Sequence, residues 1–72
     1  MDDQERTLSK TVATKVRPHY QGWLKKSGAS QAYERAYEEL AKHVAKAQNT
    51  TPDKAKFASR EVLQEAMALV TQ

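Results

Sequence analysis

The sequence contains no cysteine and no isoleucine, and its 72 residues include only two glycines, two prolines and one tryptophan. Without cysteine, neither a disulfide nor a thiolate-ligated metal site can stabilise the chain. No apolar run approaches the roughly 18 residues of a membrane span, and the N-terminus lacks a signal-peptide pattern. These absences predict a soluble, cytoplasmic protein that does not enter a membrane.

The residues that most enzymes need are also missing. With Gly22 and Gly28 as the only glycines, there is no glycine-rich phosphate loop, and no serine lies in a nucleophile elbow. His19 and His43 are the only imidazoles. Glu39 and His43 have the spacing to share one helix face, but two ligands alone make a weak metal site. We therefore expect a non-enzymatic protein with no metal and no cofactor.

The apolar residues are enough for only a thin core. Leaving Met1 aside, sixteen residues are large and apolar, and eleven more are alanine. A core of this size typically yields only about 3–5 kcal/mol of stability. Such a domain often gains further stability by dimerising or by binding a partner. We expect a flexible N-terminus over 1–7, a single helical domain over 8–72, and a homodimer.

The clearest pattern that is present is an amphipathic helix over 30–48. At 100° per residue, its apolar side chains fall within about 100° of arc, and its charged residues lie opposite. Gly28 interrupts any helix that precedes it, and Ser30 can cap the first turn. The apolar stripe consists of Tyr33, Ala36, Tyr37, Leu40, Val44 and Ala47.

Two short helices are predicted before it, over 3–17 and 18–27. The first has apolar residues at helix spacing, but its many β-branched residues leave a strand over 9–17 as an alternative. Pro18 suits the first position of a new helix, because the residue before a proline is disfavoured in the α conformation.

A last helix is predicted over 52–70, with Thr51 as its cap and Pro52 at its first position. Its apolar residues cover about half of the circumference, so we expect a central place in the bundle or a second subunit on this face. Phe57 lies off that face. It is exposed if the helix is unbroken, and it points inward if a kink near Ser59 divides the helix. Together these segments predict an all-α, compact bundle of three to four short helices.

The positive charge is concentrated in the first half of the chain. The net charge is +3, and no acidic residue occurs between Arg6 and Tyr33, whereas residues 34–72 carry six acids and six bases. A basic region of this kind favours polyanions. The leading interpretation is a small regulatory DNA-binding protein. The expected phosphate contacts are Lys10, Lys15, Arg17, Lys25, Lys26 and Ser30.

The competing interpretation is a helical protein-interaction module or inhibitor that docks on a larger partner. The broad apolar face of 52–70 suits docking of one helix on another. The expected docking residues are Trp23, Phe57, Leu63, Met67 and Val70. Trp23 is also the natural core anchor of the 18–27 helix. Salt separates the two interpretations, because DNA binding weakens steeply with salt and apolar docking does not.

Parts of the chain resemble two DNA-binding architectures. Residues 9–44 resemble a ribbon-helix-helix protein: the strand SKTVATKVR, a helix started by proline, then a second amphipathic helix. That resemblance implies a dimer with Lys10 or Lys15 at base edges in the major groove. The first helix is about a turn shorter than is usual in that family, and an extra C-terminal helix follows.

The second resemblance is to the helical core-binding domain of tyrosine recombinases. It rests on the spacing of several residues, with Tyr33 standing where that family usually has threonine. The residues that carry it are Trp23, Leu24, Gly28, Ser30, Tyr37, Val44 and 51–57.

Overall fold

The computed structural model describes residues 2–72, and these residues form three helices and no strand. The helices are α1 (Asp3–Ala47), α2 (Pro52–Ala58) and α3 (Arg60–Thr71). The predicted all-α bundle is therefore confirmed. The alternative of a strand over 9–17 is wrong, because these residues are helical. The ribbon-helix-helix arrangement requires that strand, so it is wrong as well. None of the described helices is both long and apolar enough to cross a membrane.

The long helix α1 folds back on itself at Gly28. A straight helix of its 45 residues would be about 68 Å long, whereas the longest dimension of the molecule is 33 Å. Gly28 has φ 83° and ψ 168°, a backbone conformation essentially restricted to glycine. The break predicted at Gly28 is confirmed. We call residues 3–27 the first arm of α1 and residues 29–47 the second arm.

The predicted helix boundary at Arg17–Pro18 is wrong, because the first arm continues through Pro18. A proline inside a helix costs roughly 3 kcal/mol. Val12, Val16 and Tyr20 follow one another at a spacing of four residues, and all three are buried. Burial of this continuous stripe outweighs the cost of the proline. Pro18 itself is exposed, so the helix carbonyl that it leaves without a partner stays open to water.

Asp2 caps the start of α1. Its carboxylate accepts a hydrogen bond from the Glu5 N–H (2.8 Å), and the Glu5 carboxylate accepts one from the Asp2 N–H (3.3 Å). This reciprocal pair satisfies two of the N–H groups that a helix leaves free at its start. Residues 3–7, which we expected to be flexible, form the first turns of α1; Met1 lies outside the described residues.

The predicted 52–70 helix is divided at Ser59 into α2 and α3. The Thr51 hydroxyl caps α2 by accepting a hydrogen bond from the Lys54 N–H (3.3 Å). Ser59 is buried, and its hydroxyl donates to Gln48 Oε1 at 2.7 Å, which ties the α2–α3 junction to the end of α1. The kink near Ser59 is confirmed, but Phe57 does not point inward: it is 92% exposed.

A single core joins the two arms of α1 to α2 and α3. The broad apolar face predicted for 52–70 is used here, since its large side chains pack against α1 within one chain. This face therefore gives no reason to expect a second subunit. In the second arm, Tyr33 and Ala47 are exposed although the pattern placed them on the apolar stripe. The most deeply buried large side chains are Val16, Leu40, Val44, Val62, Leu63 and Val70.

Candidate nucleic-acid interface

The first arm of α1 turns its apolar side toward the core, and most of its other residues are exposed. Three apolar residues are partly buried and pack against the core: Leu8, Trp23 and Leu24. The end of α3 lies beside the arm, where Gln72 shares a groove with Thr14 and Arg17.

The buried residues of the first arm centre on one direction around the helix axis: Ser9, Val12, Ala13, Val16 and Tyr20. Ser9 is polar, but its hydroxyl is satisfied by donating to the Arg6 carbonyl at 2.8 Å. The cations of this acid-free segment therefore lie on the flanks and on the outer side.

Five of the six cations form two rows on opposite flanks of the arm, and the sixth, Lys25, falls between the rows. At 100° per residue, Lys10 and Arg17 lie about 20° apart, and Lys15 and Lys26 also lie about 20° apart. Lys15 and Arg17 are separated by roughly 160°. Arg6 continues the line of Lys10 and Arg17. All five side chains are exposed. We call Arg6, Lys10 and Arg17 the first basic row, and Lys15 and Lys26 the second basic row.

Small uncharged residues lie between the two basic rows, on the side away from the core. All of them are exposed, and they fall within about 80° of arc. The hydroxyls of Thr11 and Thr14 donate to the carbonyls of Thr7 (2.9 Å) and Lys10 (2.8 Å). Their methyl groups and oxygen lone pairs remain available on the surface. We call this strip the threonine ridge: Thr7, Thr11, Thr14, Pro18 and Gly22.

The threonine ridge and Arg6 were not among the residues predicted from the sequence. The assumed helix boundary at Pro18 divided the ridge into two unrelated halves. A helical projection carried through Pro18 would have shown one strip of small neutral residues, with Lys25 at its end, flanked by two basic rows.

No ion pair between described residues engages the basic rows. The ion pairs of the described chain involve other cations, Lys42 with Glu39 and Lys56 with Glu38, on the second arm and α2. The first basic row lies next to the end of α3, since Leu69 shares a shallow groove with Lys10 and Arg17. The cations of the two rows are thus not held in ion pairs and can interact with an external anion, although Asp3 and Glu5 lie just before Arg6.

Lys25, Lys26 and Ser30 lie around the bend at Gly28, and all three are exposed. Lys10 is roughly 22 Å away from Lys25 along the arm, at 1.5 Å per residue. The six predicted phosphate contacts are therefore all accessible, but they are spread along the arm and over two flanks. They do not form one compact patch.

Trp23 is engaged within the protein near the bend. The His19 ring stacks on it with centroids 5.9 Å apart and an interplanar angle of 23°. The Arg35 guanidinium carbon, from the second arm, lies 4.9 Å from the Trp23 ring centre. Trp23 is half-buried and packs against the core. It joins the two arms and does not present a free ring to a ligand.

The predicted docking residues are divided between the core and the surface. Leu63, Met67 and Val70 are no more than 2% exposed, so their side chains have no surface left for a partner. Phe57 stands out from α2 at 92% exposure. It forms one wall of an open groove of about 600 Å³, lined also by Gln48, Thr50, Asp53, Lys54 and Ala58.

Comparisons with protein-family models, with curated proteins and with solved structures find no match to this chain. Within residues 2–72, no group of three or more histidine, aspartate or glutamate side chains is placed to hold a metal ion.

Proposed function

We propose that the protein is a small, non-enzymatic regulatory DNA-binding protein that contacts phosphates through the first arm of α1. One observation carries this proposal: the arm displays exposed cations on an acid-free segment, and no carboxylate among the described residues pairs with them. Such a surface releases condensed counterions from DNA when its cations replace them.

The expected binding is strongly dependent on salt. Each phosphate that a cation neutralises contributes about −0.9 to the slope of log K against log salt concentration. Contacts from Lys10, Lys15 and Arg17, supplemented at the bend by Lys25 and Lys26, predict a slope of roughly −4 to −5. Ser30 is exposed beside the bend and can donate a hydrogen bond to a phosphate oxygen.

The test compares two double variants that change the net charge equally. Lys25→Glu/Lys26→Glu alters the proposed surface, whereas Lys46→Glu/Lys54→Glu alters exposed cations outside the first arm. Fluorescence anisotropy with a labelled duplex, together with retention on heparin, measures binding. We expect the first variant to lose binding and the second to retain most of it.

Two results would refute DNA binding by the first arm. In one, the wild type fails to bind duplex DNA at about 50 mM salt, where phosphate contacts are strong. In the other, both double variants lose binding equally, which would show that net charge matters and the position of the charge does not.

A second candidate function, a helical protein-interaction module, is favoured by Phe57 alone. An aromatic side chain that is 92% exposed beside an open groove is the kind of anchor on which protein interfaces depend. A homodimer through this surface is its simplest form. Light scattering of the wild type and of Phe57→Ser at two salt concentrations tests it. A salt-independent dimer that Phe57→Ser dissociates would favour this function.

A further inference from the structure

We propose that the first arm of α1 lies in the major groove of B-form DNA. In this arrangement the threonine ridge faces the base edges, and the two basic rows face the phosphate backbones of opposite strands. The inference rests on the proposed function and extends it by naming the groove, the exposed side of the helix and the class of nucleic acid.

The placement of charge on both flanks is the first reason. An α-helix with its side chains is about 10–12 Å in diameter, and the B-DNA major groove is about 12 Å wide and admits such a helix. A helix in the groove has a phosphate backbone on each side. Lys15 and Arg17, roughly 160° apart, point toward opposite walls. A protein that followed one backbone only would need its cations on one side.

The composition of the threonine ridge is the second reason. Thr11, Thr14, Pro18 and Gly22 are small and uncharged, so they allow the helix backbone to approach the floor of the groove closely. A threonine methyl can contact the methyl group of thymine. Because the Thr11 and Thr14 hydroxyl protons are already donated to helix carbonyls, their oxygens are left to accept from base amino groups.

The ends of the arm limit the contact. Asp2, Asp3 and Glu5 precede Arg6, and their negative charge opposes phosphate at the N-terminal end. From Arg6 to Lys26 the arm rises by about 30 Å, close to the roughly 34 Å of one turn of B-DNA. Since the groove curves away from a straight helix, the middle of the arm makes the closest approach.

Other forms of nucleic acid fit this surface less well. The major groove of A-form RNA is deep and narrow, and side chains cannot read it. Single strands are typically held by aromatic rings on which bases stack. On the first arm, Trp23 is occupied by His19 and Arg35, and Tyr20 is buried. The exposed rings of Tyr33 and Phe57 lie outside this arm. We therefore expect duplex DNA to bind more tightly than duplex RNA or single-stranded DNA of the same sequence.

The first experiment reads the groove directly. Dimethyl sulfate methylates guanine N7 in the major groove and adenine N3 in the minor groove. On a labelled duplex of about 20 base pairs, we expect the wild-type protein to protect guanine N7 and to leave adenine N3 reactive. Protection of adenine N3 alone, or of neither position in a saturated complex, would overturn insertion into the major groove.

The second experiment tests both flanks and the ridge. Lys10→Gln and Lys15→Gln belong to different basic rows, and each is expected to reduce the magnitude of the salt slope by about 0.9. Thr11→Phe adds bulk to the ridge without changing charge. It should lower affinity at least as much as Lys15→Gln does. Its matched control, Gln64→Phe on the exposed side of α3, should leave affinity unchanged.

The outcomes separate this inference from the proposed function. Absence of duplex binding at about 50 mM salt removes both. Three other results would leave the proposed binding of DNA or of polyanions intact but overturn the groove arrangement. In the first, only one basic row affects the salt slope; in the second, Thr11→Phe has no effect on affinity. In the third, duplex RNA binds as tightly as duplex DNA.

Discussion

Arg35 lies against the ring of Trp23, with its guanidinium carbon 4.9 Å from the ring centre. The two residues belong to different arms of α1, on either side of the bend at Gly28. A guanidinium over an indole ring at a partly exposed site is worth about 0.5–1 kcal/mol. The fold-back of α1 is thus supported by a contact between side chains as well as by the backbone of Gly28.

A double-mutant cycle on this pair measures the contact. We expect Arg35→Gln to lower the free energy of unfolding in the wild type and to have little effect in a Trp23→Leu background, with a coupling energy of about 0.5–1 kcal/mol. Urea denaturation followed by circular dichroism gives all four values. Strictly additive effects would mean that the guanidinium and the indole ring do not interact in solution.

The two glycines should respond in opposite ways to replacement by alanine. Apart from the adjoining backbone, neither has an atom within 4 Å of the position that a Cβ would occupy, so neither substitution causes a clash with a packed neighbour. Gly28→Ala should cost about 1–3 kcal/mol, because φ is 83° and alanine is strained there. Gly22→Ala, inside the first arm, should gain about 0.5–1 kcal/mol. Thermal melts of both variants test this, and equal effects would argue against a bend at Gly28.

Leu40 and Phe57 provide a contrast between buried and exposed apolar side chains. Leu40 is 0% exposed in the centre of the second arm, whereas Phe57 is 92% exposed. Leu40→Ala should lose about 2–5 kcal/mol, enough to unfold much of a domain this small. Phe57→Ala should change the free energy of unfolding by less than about 0.5 kcal/mol. Denaturant titration of both variants checks the core assignment, which a wild-type midpoint for Leu40→Ala would contradict.

The Lys56–Glu38 ion pair predicts a dependence of stability on alkaline pH. The hydrogen bond from Lys56 Nζ to the Glu38 carboxylate raises the pKa of Lys56 above its ordinary value. A raised pKa in the folded state gives stability that is fully present below the unfolded pKa of about 10.4. That stability is lost as the pH rises through the raised pKa.

We therefore expect the melting temperatures of the wild type and Glu38→Gln to differ at neutral pH and to converge at strongly alkaline pH. The pair lies on the surface, so the difference should be small and should decrease with added salt. A difference that stays constant from neutral to strongly alkaline pH would show that the ion pair is not its source.

The helices over 30–48 and 52–70 could be predicted because their apolar periodicity reports burial directly. The breaks at Gly28 and Ser59 were also predictable, since each depends on short-range signals at the break itself. Pro18 shows the limit of such local rules. Its cost is local, but the gain from burying Val12, Val16 and Tyr20 together depends on what the helix packs against.

Helix content, the acid-free basic segment and the absence of cysteine chemistry are properties of the order of residues along the chain. The sequence alone does not determine which side of each helix is buried, because burial depends on how the two arms of α1 pack against α3. That packing removed Leu63, Met67 and Val70 from the surface and left Phe57 on it. It also turned the buried stripe of the first arm inward. Five of the six cations of the acid-free segment therefore lie in two rows on either side of the threonine ridge, and Lys25 lies at the end of the ridge.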